Sequence, residues 1–221
     1  DSFMVYQEPH ESPEVSELPV LSNNYITFGS FNNFAKINSE VIRLWAQILI
    51  ALPTARLMIK ATGLDETEQQ QRVRSSFAVY GITEERLLLF DRDANYQDHL
   101  ARYGEVDIAL DTFPYSGGTT TLEALWMGAP VLTLAGDRFA SRMGVSIAHT
   151  IGLMDWIADT PEEYVSKAVG FSLDPAKLQE LRQGMRGRLR SSPLMNTERF
   201  TGNLEAAYRG MWKRWCMAIH G

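Results

Sequence analysis

Tyr25-Ile26-Thr27-Phe28-Gly29-Ser30 is a short β-branched and aromatic run. It is followed by the polar stretch Phe31-Asn32-Asn33-Phe34-Ala35-Lys36-Ile37-Asn38, and then by Val41, Ile42, Trp45, Ile48, Leu49 and Leu52 at helical spacing ahead of Pro53. The apolar period switches from that of a strand to that of a helix, and proline ends the helix, so the stretch reads as strand, loop, helix. The same rhythm continues outward. Strands are expected over residues 55–61, 86–90, 106–110 and 130–134, alternating with helices over 66–80, 96–103, 119–127 and 141–150. Leu57-Met58-Ile59, Leu87-Leu88-Leu89 and Val131-Leu132 are nearly continuous in apolar residues. Strands buried on both faces look like this, and their alternation with helices predicts an α/β fold, a Rossmann-like doubly wound parallel sheet. Beyond residue 160 only helical patterns remain, over 161–171, 175–190 and 197–216. The core is thus expected over about residues 25–158 and extra C-terminal helices over about 160–217.

Residues 1–24 read differently. Glu8, Glu11, Glu14 and Glu17 stand among Pro9, Pro13 and Pro19, a composition with too little apolar surface to order itself, which predicts a linker or an extended strap. In the whole chain 45% of residues are hydrophobic, as in a folded globular protein. The 21 basic and 27 acidic side chains leave a net charge of −6, which argues against a nucleic-acid or anionic-membrane surface. No apolar run reaches the length of a membrane span. Cys216 is the single cysteine, so no intrachain disulfide can close; this fits a reducing, cytoplasmic compartment. The chain begins at Asp1 and reads as a piece of something longer.

In an open parallel sheet, ligands bind beyond the carboxyl ends of the strands, so the loops after strands carry the chemistry. The first such loop offers two amides, including Asn33, and the basic Lys36. A lysine about 4 Å from a phosphate gains roughly 4 kcal/mol of raw Coulomb attraction at an effective dielectric of about 20. The other is Asp111-Thr112-Phe113-Pro114-Tyr115-Ser116-Gly117-Gly118-Thr119-Thr120-Thr121, which opens a helix carrying Glu123. Gly117 and Gly118 are expected to supply positive φ and close approach, the helix start unpaired N–H groups, and Thr119, Thr120 and Thr121 hydroxyl donors. Together they suit a phosphate or pyrophosphate, with Glu123 placed to accept from a ribose diol. The competing view is a plain loop with a threonine cap, since glycine pairs before helices are common and neither the P-loop nor the dinucleotide G-x-G-x-x-G pattern is present.

Taken together, several separated motifs resemble one family. Ile26-Thr27-Phe28-Gly29-Ser30-Phe31-Asn32-Asn33 with Ala35-Lys36-Ile37, Leu110-Asp111-Thr112-Phe113-Pro114-Tyr115 with Gly118-Thr119-Thr120-Thr121, Met127-Gly128 with Pro130, and Leu204-Glu205-Ala206-Ala207-Tyr208 with Met211-Trp212-Lys213 occur in order. They resemble the C-terminal catalytic lobe of the SPINDLY and O-GlcNAc transferase family. The resemblance implies the C-terminal, donor-binding lobe of a two-lobed GT-B glycosyltransferase. It also implies a missing N-terminal lobe, upstream tetratricopeptide repeats, a protein Ser/Thr acceptor, inversion at the anomeric centre and no metal or other cofactor. Carried over to this chain, Lys36 contacts the donor diphosphate and acts in catalysis, and Asn33 stands where O-GlcNAc transferases have a Gln. Gly117, Gly118, Thr119, Thr120 and Thr121 line the phosphate end, Glu123 lies near the ribose, and His99 with Arg102 lies near the base. O-GlcNAc transferases have His where this chain has Gly118, while Thr121 and Glu123 are more similar to the SPINDLY branch. UDP-GlcNAc is the default donor and GDP-fucose the alternative; a non-protein acceptor, or a non-catalytic nucleotide-binding or interaction module, are the further readings. The stripe Leu204, Ala207, Tyr208, Met211, Trp212 and Trp215 is expected to pack on this lobe or across to the missing one, and left uncovered it would favour a homo-oligomer.

Overall fold

The computed structural model describes residues 2–220. Six strands, β1 (Thr27–Ser30), β2 (Arg56–Lys60), β3 (Leu87–Phe90), β4 (Ile108–Leu110), β5 (Val131–Leu134) and β6 (Ile157–Ala158), form one parallel sheet in the order β3-β2-β1-β4-β5-β6. The helices are α1 (Val20–Asn23), α2 (Ser39–Ala51), α3 (Thr67–Ala78), α4 (Tyr96–Arg102), α5 (Thr119–Trp126), α6 (Met143–Thr150), α7 (Pro161–Ser172), α8 (Pro175–Arg190) and α9 (Thr197–His220). The predicted doubly wound architecture is therefore present. The strand order reverses between β1 and β4, and the crevice of such a sheet opens at that point.

Side-chain shape explains why β1 and β4 lie together there. A Cβ on Gly29 would come within 2.5 Å of Val106 Cγ2, so glycine lets the β4 approach pass close to β1. Asn38 starts α2 by accepting from the amides of Glu40 (2.9 Å) and Val41 (3.0 Å). The helix then buries Val41, Leu44, Trp45, Ala46, Ile48 and Leu49, each contributing on the order of 1.5–3 kcal/mol for the larger side chains.

Several element bounds shift by one or two residues, and one strand is additional. The strand expected over 106–110 starts at Ile108; Asp107, just before it, donates its amide to Thr27 O (2.8 Å) and accepts the Val20 and Thr27 amides on its carboxylate at 2.8 and 2.7 Å. The helix expected from residue 141 starts at Met143, after a 3-10 turn over Phe139–Ser141. The two-residue edge strand β6 is too short to show a period.

Residues 2–18 run across the molecule and are gripped by α8. Arg182, fully buried, donates to Ser16 O (2.9 Å) and Ser16 Oγ (2.9 Å) in this segment and to Val106 O (2.8 Å) and Tyr103 O (3.2 Å) in the core. Arg186 donates to Pro13 O, and Arg190 pairs with Glu8 at 2.6 Å. On α9, Leu204, Tyr208, Met211, Trp212 and Trp215 remain exposed, so this face is not packed on the lobe. Among the described residues no helix is long and apolar enough to cross a membrane.

Candidate functional site

The loops after β1 and β4 meet at the switch point. Lys36 Nζ donates to Ser116 O at 3.0 Å and lies 4.1 Å from the Tyr115 ring centroid. Thr120 Oγ1 donates to Asn32 Oδ1 (3.1 Å), and Asn38 Nδ2 to Phe113 O (2.7 Å). Burial pulls the Lys36 ammonium below its usual value, with the Asp111 carboxylate pulling the other way. Asn33 is exposed, its Oδ1 accepting from Ala35 N at 2.9 Å.

Asp111 organises the second loop from below. Its Oδ1 accepts the Gly117 amide (2.6 Å) and the Thr112 amide (2.9 Å), and its Oδ2 accepts the Thr133 hydroxyl (2.8 Å). The two glycines do not serve as expected, since neither takes positive φ; among the described residues the glycines that do are Gly63, Gly81, Gly128 and Gly152. Close approach is what Gly117 provides: a Cβ there would lie 2.5 Å from Thr121 Oγ1 and 2.9 Å from Thr120 Oγ1. Gly118 caps α5 with no side-chain hydrogen bond, which leaves the first turn of that helix without a side-chain acceptor. Thr119 is exposed, Thr120 half-buried and Thr121 buried.

Further into the crevice, Glu123 is nearly buried. Its Oε1 accepts from Tyr96 OH (2.9 Å), and its Oε2 lies 3.1 Å from His99 Nε2. His99 Nδ1 is 2.5 Å from Lys60 Nζ, and Lys60 pairs with Asp93. Arg102 closes the series, donating through Nε (2.9 Å) and Nη2 (2.5 Å) to Asp93 Oδ1, with its guanidinium over the Phe90 ring. Burial works to raise the Asp93 carboxyl, but the hydrogen bonds and charges of Arg102 and Lys60 outweigh it and hold the group at about 2. His99, Arg102 and Glu123 are thus joined in one network, while Lys36, Thr120 and Gly117 form a second cluster at the loop ends.

Asn32, Lys60, Asp93, Tyr96, Asp111 and Ser116 belong to the site and were not singled out by the sequence reading. Two of them carry a signal: Lys60 directly follows the buried apolar run Leu57-Met58-Ile59, and Asp111 directly follows the buried strand β4. The crevice ringed by Ser30, Asn32, Tyr103, Asp111 and Thr120 encloses only about 10 Å³, so it is nearly filled by its own side chains. A cavity of about 600 Å³ between α7, α8 and residues 152–156 shares none of these residues.

The family model described as glycosyl transferase family 41 matches residues 16–204. The chain belongs to glycosyl transferase family 41. Across 216 residues it is 42% identical to a rice (Oryza sativa subsp. japonica) protein named probable UDP-N-acetylglucosamine–peptide N-acetylglucosaminyltransferase SPINDLY, covering 98% of this chain and 23% of the relative. It is 31% identical to the Arabidopsis thaliana SEC protein of the same enzyme name, covering 95% of this chain and 21% of that one. A K341M mutant of Thermobaculum terrenum O-GlcNAc transferase superposes with a TM-score of 0.89 at 40% identity, over 96% of this chain and 40% of that one. TarM, at 13% identity and a TM-score of 0.59 over 83% of this chain and 34% of that one, shares the fold. The family 41 chain therefore spans about a quarter of the curated relatives it matches, and it has the Rossmann-like lobe of GT-B glycosyltransferases.

Two buried carboxylates of this lobe set its response to pH. Burial pushes Asp111 up to about 6 against its amide, hydroxyl and Lys36 partners, and raises Asp107 to about 6 against the Thr27 and Val20 amides. A folded value above the unfolded one means that the folded state holds protons the unfolded chain has released. The resulting stability is complete below about pH 4 and is lost as the pH rises through about 6. The urea midpoint is therefore expected to be higher at about pH 5 than at about pH 7, and a rise in the midpoint between those values would contradict it.

Proposed function

We propose that this chain is the donor-binding lobe of a protein O-glycosyltransferase that transfers GlcNAc from UDP-GlcNAc to Ser or Thr hydroxyls with inversion. The observation that carries the reading is the convergence of the Lys36 ammonium with the Gly117–Thr121 segment at the β1–β4 switch point, beside a carboxylate, Glu123, held for a ribose. The relatives' names supply the sugar and the peptide acceptor. In the transfer, an acceptor oxygen forms the new bond to the anomeric carbon, its proton passing to a base or to solvent. The diphosphate departs with the electron pair of the bond that breaks. Lys36, the α5 N-terminus and the threonine hydroxyls meet the charge growing on that leaving group, and they accelerate transfer to the extent that they hold it more tightly there than in the ground state. The reading calls for no resident metal or other cofactor.

The reading includes a second, N-terminal GT-B lobe completing the cleft and tetratricopeptide repeats upstream, supported by the chain's covering only 23% of the rice SPINDLY relative; a cytoplasmic location goes with the single free cysteine, Cys216. Gly118 favours a second reading. A Cβ there would meet only Met4 Cε, at 3.6 Å; glycine departs from the histidine of O-GlcNAc transferases, while Thr121 and Glu123 are more similar to the SPINDLY branch, for which GDP-fucose is the donor to test. Calorimetry of the chain with UDP, UDP-GlcNAc, GDP and GDP-fucose separates the two. UDP binding more tightly than GDP is expected; the reverse order selects the second reading, and failure of all four with a folded sample removes the donor-lobe assignment.

A further inference from the structure

We infer that Lys60 is a positioning residue of the donor site: it fixes His99 in the tautomer that carries its proton on Nε2 and aims that proton at Glu123. The inference rests on the donor-lobe reading and adds to it a residue from outside the two ligand-facing loops. Lys60 ends β2 with its side chain 3% exposed, and its Nζ stands 2.5 Å from His99 Nδ1. An ammonium group only donates, so Nδ1 has to accept and is bare. The ring proton then sits on Nε2, 3.1 Å from Glu123 Oε2, a carboxylate oxygen that only accepts. Asp93 holds Lys60 in place and is itself clamped by Arg102 through two hydrogen bonds.

Two consequences follow for recognition. Both nitrogens of His99 are occupied within the protein, and its ring is packed by Tyr96 (centroids 5.8 Å apart, planes at 17°), Phe31 (6.0 Å) and Tyr103 (5.6 Å), so the imidazole serves to hold Glu123 rather than to bond a nucleotide through its nitrogens. Glu123, receiving Tyr96 OH on one oxygen and His99 on the other, keeps one further lone pair on each oxygen, pointing in fixed directions and suited to a vicinal diol. Lys60 therefore acts through His99 on the carboxylate, in the way outer hydrogen-bond partners orient metal-binding histidines.

The test is long-range proton–nitrogen correlation of the histidine rings in the 15N-labelled chain, paired with calorimetry using UDP and GDP. The expected spectrum has His99 Nδ1 at an unprotonated shift and Nε2 at a protonated one. In Lys60→Met the pattern is expected to shift to mixed tautomers or to a protonated Nδ1, with affinity for the preferred nucleotide falling about tenfold; Lys60→Arg, which restores a donor, should recover both. A protonated Nδ1 in the unaltered chain overturns the inference even if Lys60→Met does not fold. So does an unchanged tautomer in a folded Lys60→Met variant. A bare Nδ1 in a chain that binds neither nucleotide overturns the donor-lobe reading alone.

Discussion

Lys36→Ala is expected to weaken nucleoside diphosphate binding by about 10- to 100-fold, the loss of a charge-assisted hydrogen bond worth about 1.5–3 kcal/mol. In an enzyme that contains both lobes, transfer should fall further, by about 100- to 1,000-fold, because charge on the leaving group peaks in the transition state. The fold gives reasons for both numbers. The ammonium is half-buried and already destabilised by burial, so its electrostatic effect on an anion is less screened than that of a surface lysine. Of its three N–H donors, one goes to Ser116 O, which fixes the head group at the mouth of the second loop and leaves two for a ligand. The same features predict little change in stability. Removing Lys36 loses one hydrogen bond and one cation–π contact while relieving the cost of keeping an ammonium out of water, so thermal unfolding should move by no more than about 1 kcal/mol. Calorimetry and thermal denaturation of the same sample check both halves. Unchanged affinity removes Lys36 from the site, and a collapse of stability makes it structural.

The fold was legible because its strands are buried on both faces. Leu57-Met58-Ile59 and Leu87-Leu88-Leu89 announce themselves by continuous apolar character, and the helices between them by period and by terminators such as Pro53. The two candidate loops follow from the rule that sites open after strands, and the structure brings them together at the switch point. What stayed hidden depends on contacts between residues far apart in the chain. Nothing near Lys60 in sequence says that its ammonium meets His99, 39 positions away, or that Asp111 reaches forward to Gly117 and Thr133. The glycine pair departs from expectation for a related reason. Two successive glycines suggest unusual dihedrals, whereas the constraint at Gly117 is the crowd of Thr120, Thr121 and Asn32 oxygens around its α-carbon, visible only once the loops are brought together.

The N-terminal segment makes the same point about stability, and Arg182 is where it is expected to show. Arg182→Met should destabilise the chain by about 3–5 kcal/mol, a large part of the roughly 5–15 kcal/mol that holds a domain folded. Burial lowers the guanidinium only to about 10, so it remains charged at neutral pH, and the Asp107 carboxylate favours that charge. Its four hydrogen bonds join Ser16 of the strap to the carbonyls of Tyr103 and Val106, on the approach to β4. Methionine fills much of the volume but removes all four bonds: the carbonyls of Ser16 and Tyr103 keep only their weaker partners, Gln183 Nε2 and the Val106 amide at 3.2 Å each, the buried Val106 carbonyl loses this donor, and Asp107 loses its nearby cation. Residues 2–18 are too polar to order themselves, so their attachment depends on this arginine and its neighbours Arg186 and Arg190, together with the buried Tyr6 and Leu18 and their bonds to Leu194 O and Gln179 Oε1. Loss of Arg182 should therefore free the strap before it unfolds the sheet. Limited proteolysis is expected to cut near the exposed Glu14 at denaturant concentrations where the circular dichroism of the core is still native. Simultaneous loss of both signals would mean that the strap and the sheet form one cooperative unit, and a cost below about 1 kcal/mol would mean that the arginine merely lies along a segment ordered by something else. The strap also brings Met4 up to Gly118, so its release should weaken nucleotide binding in Arg182→Met even though the arginine itself contacts neither loop of the site.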